Sequence, residues 1–209
     1  MVLNISNKTQ KILIIAGIIG PIFYFTLLTI LGLIWKGYNP ILTGMSEIGA
    51  VDSPFKDIMN YLGFSLLGIC IILFDLAFKT HFKENLQMTI VFIVLLIGGI
   101  FMFLVGFLPC DPDCIDVTLT GTLHSITSTI PAVLIPIAAI ISAYPFSKLW
   151  GLQWGYCTFI LGLLSLSSGP FLFFEFLSNF TGLIQRLGIG LSLFWIFITS
   201  LKIYNELRN

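Results

Sequence analysis

The sequence is poor in charged residues. Its 209 residues include ten Lys or Arg, ten Asp or Glu and two His, so 10% are charged and the net charge is zero. A soluble globular domain carries about 25% charged residues. This chain is therefore too apolar to cover a surface that faces water, and it lacks the basic surface that nucleic-acid binding requires. We expect an integral membrane protein with no nucleic-acid partner.

Several catalytic motifs are also absent. The sequence has no glycine-rich phosphate loop, no G-x-S-x-G elbow and no H-E-x-x-H pair. With only His81 and His124, it lacks the ligands of a multi-histidine zinc hydrolase. We therefore predict no cofactor.

The chain has long apolar segments instead. It is 57% hydrophobic, with a mean hydropathy of +1.02. A membrane-spanning helix needs about 20 apolar residues. The first apolar run, of 24 residues, is too long for a signal peptide, so we expect it to remain as an anchor. We predict an all-α polytopic bundle of six transmembrane helices, forming a single domain over 1–209, with spans at about 12–35, 56–79, 88–108, 120–143, 153–176 and 183–204.

The distribution of Lys and Arg predicts the orientation of this bundle. Seven of the ten fall on one side of the predicted spans and three on the other. Because cytoplasmic loops carry the excess of positive charge, we predict a multi-pass cell-membrane protein with both termini in the cytoplasm. The loops at 36–55, 109–119 and 177–182 would then lie outside the cell.

Polar residues collect on the predicted outer side. His124, Thr127, Ser128 and Pro131 share one face of the fourth span by helical spacing. Polar groups at that depth rarely face lipid. His124 is therefore a candidate catalytic base, with a packing histidine as the alternative. The candidate ligand-binding residues are Ser46, Glu47, Asp111, Asp113, Ser128, Glu175 and Arg186.

Two acidic residues have a structural explanation beside any functional one. Glu175 and Arg186 flank a short turn, where each would lessen the cost of burying the other if they paired. Asp75 precedes Lys79 by four residues near the predicted inner interface, which predicts an ion pair on one helix face.

The segment "PCDPDC" at 109–114 holds two cysteines in an outer loop. Thiols there can oxidise, and we predict a disulfide between Cys110 and Cys114, with no metal. Two alternatives stay open. Cys110, Cys114, His124 and one aspartate form a chemically acceptable zinc set. Carboxylate oxygens suit a hard cation, and the carboxylates available are Asp111, Asp113 and Glu47.

Two stretches carry a resemblance to a known family. They are "NPILTGMSEIGAVDSPFKDIMNYLGF" after the first span, and "GFLPCDPDC" with "GTLHS" between the third and fourth spans. Nearly the whole chain resembles the family called domain of unknown function 998, which consists of small prokaryotic membrane proteins with about six spans. That resemblance implies a fold but no activity. A fainter likeness is to eukaryotic autophagy-modulator and post-GPI-attachment membrane proteins, and it implies a role in lipid handling.

Three hypotheses about function remain. In the first, an outward-facing polar pocket binds a lipid or small ligand, and a lipid-modifying enzyme is a stronger form of this hypothesis. Its partners would be membrane lipids and, as an oligomer, further copies of the chain. In the second, the protein is a transporter, channel or non-catalytic assembly protein. In the third, the outer polar cluster only closes the bundle. The sequence leaves catalysis undecided.

Overall fold

A computed structural model of the chain describes residues 6–82, 85–171 and 179–208. These residues contain six long helices and no strand, which confirms the predicted all-α class. The helices are α1 (Asn7–Ile34), α2 (Leu66–His81, preceded without a break by a π-helical segment at Ile58–Ser65), α3 (Leu86–Val105), α4 (Leu119–Trp150), α5 (Leu152–Phe171) and α6 (Thr181–Arg208).

The observed helices agree with the predicted spans to within a few residues at most ends. The main difference is α4, which we predicted to end at 143 and which continues to Trp150. It ends there because Gly151 adopts a φ of +99°, which only glycine tolerates readily. The end of the fifth predicted span, beyond 171, lies outside the described residues.

The helices form a membrane-embedded bundle. Five of them are long and apolar enough to cross a bilayer; α5, whose second half contains "SLSSGP", is not among them. Large apolar side chains cover the sides of the bundle, and Ile22, Ile93 and Phe194, in the middle parts of their helices, are 54%, 50% and 49% exposed. An apolar surface of this extent suits lipid rather than water. Which ends of the helices face the cytoplasm stays a prediction.

The helices pack in chain order, each against the next, and α1 also packs against α6. The six helices therefore close into a ring. Short polar side chains fix where several helices begin. Ser6 Oγ accepts from Thr9 N at 3.1 Å, Asn85 Oδ1 from Met88 N at 3.0 Å, and Thr118 Oγ1 from Gly121 N at 3.1 Å.

Two loops close one end of the ring, and we call residues 36–57 and 106–118 the cap. The N–H of Val51 in the first loop donates to the carbonyl of Cys110 in the second at 3.0 Å. The Asn60 side chain donates to the Gly49 carbonyl at 2.8 Å, which ties the first loop to the π-helical segment. A backbone hydrogen bond thus joins the two loops of the cap, and a side-chain hydrogen bond joins the first loop to the bundle.

The predicted pair between Asp75 and Lys79 is wrong. Lys79 Nζ donates to Thr89 Oγ1 on α3 at 2.8 Å, whereas both carboxyl oxygens of Asp75 are buried and have no hydrogen-bond partner among the described residues. Asp75 itself is 0% exposed. Helical spacing made the pair available, but Asp75 faces the interior of the bundle and Lys79 reaches a neighbouring helix.

Candidate functional site

Asp111 organises the cysteine loop. Its Oδ2 accepts from Val117 N at 2.9 Å and from Thr118 N at 2.7 Å, and its Oδ1 accepts from Thr118 Oγ1 at 2.8 Å. These donors, the backbone N–H of Thr118 first, hold the pKa of Asp111 below its ordinary value. Thr118 also caps α4, so Asp111 fixes the start of that helix. Its oxygens are engaged by the chain's own backbone, rather than turned toward a ligand.

The two cysteines of the loop lie at disulfide-bonding distance, with their Cα atoms 5.1 Å apart. Asp113 and Cys114 have φ values of 55° and 50°, so the loop turns through the left-handed region between them. Among the described residues, no group of three or more His, Cys, Asp or Glu side chains comes together to hold a metal. The alternative zinc set of the two cysteines, His124 and an aspartate is therefore not assembled.

His124 joins α4 to the cysteine loop. It is 2% exposed, and its Nδ1 lies 2.5 Å from the carbonyl oxygen of Leu108. Because a carbonyl only accepts, Nδ1 carries the proton in this bond. The other nitrogen, Nε2, is buried and has no hydrogen-bond partner. The ring of Phe64 lies against the imidazole edge-on, with the ring centres 6.4 Å apart.

Arg186 holds the first loop against α6. Its Nη1 donates to the carbonyls of Pro40 at 2.7 Å and Thr43 at 3.2 Å, and its Nη2 donates to the Tyr38 hydroxyl. Burial raises the pKa of that hydroxyl, although the bond from Arg186 works against the rise. The guanidinium is thus engaged by the loop. The predicted pairing with Glu175 falls on a residue outside the described part of the chain.

Two of the predicted ligand residues, one from each loop of the cap, lie around a small surface pocket of about 310 Å³. Glu47 and Asp113 line it together with Trp35 and Lys36. Glu47 Oε1 accepts from Gly44 N at 2.7 Å. Partial burial raises the pKa of Glu47, and that N–H partly offsets the rise. The structure therefore brings Glu47 and Asp113 together at the surface of the cap.

A larger cavity of about 530 Å³ lies inside the ring, below the cap. Of the predicted site residues, Ser46 and Ser128 line it and His124 does not. No charged side chain is among its described lining residues. The wall is mostly apolar, with Phe64, Met102, Ile135 and Leu193 among its residues.

The cavity also reaches the lateral surface of the bundle. Thr129, Ala132 and Val133 on α4 and Pro170 on α5 line the cavity and are also exposed on the lipid-facing side. The cavity is therefore open between α4 and α5.

Sequence reasoning missed the polar groups deepest in this cavity. Ser165 Oγ donates to the Gly188 carbonyl at 2.6 Å and lies 2.7 Å from Ser192 Oγ. Tyr24, on α1, is 1% exposed, lines the cavity and has a hydroxyl without a partner. The polar run "SLSSGP" in a membrane helix was the available signal for Ser165. A single tyrosine within an apolar run gives none.

Comparison with known proteins identifies a family for the chain. No curated protein and no solved structure matches the chain. One family model does, over residues 18–202, and it is described as a protein of unknown function (DUF998). That match covers all six helices of the ring except the terminal turns of α1 and α6. The chain therefore belongs to the DUF998 family of proteins of unknown function.

Proposed function

We propose that this membrane protein binds the apolar chain of a lipid or another amphipathic ligand in the cavity below the cap. The observation that carries the proposal is the cavity itself. Its volume of about 530 Å³ falls within the range of roughly 300–1,000 Å³ for small-molecule sites. Its wall is apolar and, among the described residues, uncharged, and it reaches the membrane-facing side of the bundle.

Gly169 offers a direct way to fill this space. It lines the cavity, and a Cβ added there would meet no atom of the described residues within 4 Å. Gly169→Phe should therefore place a ring in the cavity without displacing a neighbour. Leu163→Phe is a matched control, because Leu163 lies on the same helix, is 47% exposed and does not line the cavity.

The test is lipid retention. Wild type and both variants are purified in mild detergent from the same host membranes, and bound lipid is measured by native mass spectrometry and by extraction. We expect wild type and Leu163→Phe to retain lipid and Gly169→Phe to lose it, with all three unfolding at similar temperatures. Equal retention in Gly169→Phe and wild type would contradict binding in this cavity.

Transport through the bundle is a second candidate, and one observation favours it. Asp75 carries a fully buried carboxyl without a partner, and Thr199 on α6 has a buried hydroxyl without one. A Cβ added at Gly17 would contact both Phe74 and Ser200. Asp75 is next to Phe74 and Thr199 is next to Ser200 in the sequence, so Asp75 and Thr199 lie at similar depth in the bundle. Ionisable groups inside membranes often mark ion routes. Ion or proton flux into liposomes that Asp75→Asn abolishes would support transport, whereas unchanged flux would exclude Asp75 from it.

A further inference from the structure

The cavity has a polar part whose donors have no partner among the described residues. Tyr24 is the first of them, because its side chain is 1% exposed and its hydroxyl makes no hydrogen bond. A buried tyrosine hydroxyl usually finds a partner, and leaving one without a partner costs about 1–3 kcal/mol. Since Tyr24 also lines the cavity, an atom held in the cavity can supply the missing acceptor.

Gln185 is the second donor on this wall. Its Oε1 accepts from the backbone N–H of Met45 at 2.9 Å, which fixes the orientation of the amide. The NH₂ group then has two N–H donors, for which the described residues provide no acceptor. Gln185 and Met45 both line the cavity, so this amide lies where the first loop closes it.

The serine hydroxyls elsewhere on the wall already donate hydrogen bonds to groups of the chain. Ser165 gives its proton to the Gly188 carbonyl, so the short contact between Ser165 and Ser192 requires Ser192 to be the donor. Ser168 donates to the Ser165 carbonyl at 2.7 Å. The donors left for a ligand are therefore those of Tyr24 and Gln185, with the Ser46 hydroxyl beside Met45.

This donor set selects a class of ligand. Each of these groups can donate a hydrogen bond and carries no charge, and no charged residue is among the described residues of the wall. A phosphate or ammonium group would find no compensating charge there. Oxygen atoms that accept hydrogen bonds without carrying charge fit the donors, and the backbone of a glycerol-linked lipid presents such oxygens next to its apolar chains.

We propose that Tyr24 and Gln185 form a recognition site for the uncharged glycerol-backbone oxygens of a membrane lipid whose chain occupies the rest of the cavity. This proposal rests on the proposed function. The lipid enters from the membrane through the opening beside Ala132 and Pro170. Its charged headgroup, where it has one, stays outside the cavity, so selection acts on the linkage region of the lipid.

The test compares three defined probes in purified protein. They are dioleoylglycerol, its ether-linked analogue of equal chain length, and squalene, which has no oxygen. Binding is measured by native mass spectrometry for wild type, Tyr24→Phe and the control Tyr156→Phe. Tyr156 is 65% exposed and lies away from the cavity wall. The Tyr24→Phe change removes only the hydroxyl, so its melting temperature should equal or exceed that of wild type.

We expect Tyr24→Phe to weaken binding of the oxygenated probes about three- to tenfold, the effect of one hydrogen bond, and to leave squalene binding unchanged. A loss confined to the ester would identify a carbonyl as the acceptor, and a loss for both lipids would identify the oxygens that they share. Unchanged binding of both lipids would overturn the proposal and leave the hydroxyl to water alone. Gly169→Phe distinguishes lipid binding in the cavity from recognition by Tyr24 and Gln185. If Gly169→Phe blocks every probe while Tyr24→Phe blocks none, the recognition site is refuted and lipid binding in the cavity is not.

Discussion

The two ring nitrogens of His124 have different surroundings, and substitutions can separate their roles. Nδ1 donates to the Leu108 carbonyl, and Nε2 is buried without a partner. His124→Ala removes the hydrogen bond, leaves a buried carbonyl unpaired and opens a space where a 2%-exposed ring lay. Together these effects should lower the free energy of unfolding by about 2–4 kcal/mol. For a chain of this length that corresponds to a fall in melting temperature of roughly 5–15 °C.

Asn and Gln divide this loss between the two nitrogens. The amide nitrogen of Asn sits close to the position of Nδ1, whereas that of Gln reaches the position of Nε2. His124→Asn should therefore restore the donor to Leu108 and recover about 1 kcal/mol relative to Ala. His124→Gln should leave the carbonyl unpaired and recover less. Thermal unfolding of the purified variants in one detergent, followed by tryptophan fluorescence, measures the order.

The order also decides what His124 does. If stability falls in the order wild type, His124→Asn, His124→Gln and His124→Ala, and lipid retention is unchanged in every variant, then His124 has a structural role and links α4 to the cysteine loop. If Gln is more stable than Asn, the reasoning about Nδ1 is refuted. If every variant keeps its stability but loses bound lipid, His124 belongs to the ligand site, although it does not line the cavity in this structure.

Three further predictions concern the two ends of the bundle. Asp75→Val should raise the melting temperature by removing an unpaired buried carboxyl worth about 1–3 kcal/mol, and a lower melting temperature would contradict this. Asp111 has a lower pKa in the folded chain than in the unfolded chain. Its contribution to stability is therefore complete above the unfolded pKa of 3.8 and is lost as pH falls through the folded pKa. Hydrogen exchange at Val117 and Thr118 should accelerate over that acid range, and Asp111→Asn should accelerate it at neutral pH; equal protection in both proteins would refute the role. After reduction, an impermeant thiol reagent should label Cys114 from outside intact cells, and labelling only from the inner face would invert the predicted orientation.

Hydrophobic length predicted most of the fold. Five of the six helices are apolar segments long enough to cross a bilayer, and the caps at Asn85 and Thr118 are residue types that favour helix starts. The C-terminal end of α4 could not be predicted from hydropathy. Its last turns carry Pro145 and Lys148, which suggest an exit from the membrane. The helix nevertheless continues, because Phe146 and Trp150 pack on one another with ring centres 4.2 Å apart.

The site was harder to predict because sequence shows which polar groups exist but not which are already engaged. Asp111 and Arg186 looked like ligand-binding residues, yet backbone groups of nearby loops occupy both. Those partners depend on how the loops fold, and spacing along the chain does not reveal it. Tyr24 has the opposite character. In the sequence it is a single aromatic residue within an apolar run, and only the structure shows that it is buried beside a cavity and that its hydroxyl lacks an acceptor among the described residues.

The same distribution of engaged and free groups bears on catalysis. Hydrolysis of a lipid ester needs a nucleophile and a base within hydrogen-bond reach of one another and of the substrate. Ser128 lines the cavity, but its hydroxyl donates to the Ser125 carbonyl at 3.3 Å, and His124 does not line the cavity. Lipid binding, as we propose it, needs only an apolar wall and hydrogen-bond donors, and the described residues of the cavity provide both.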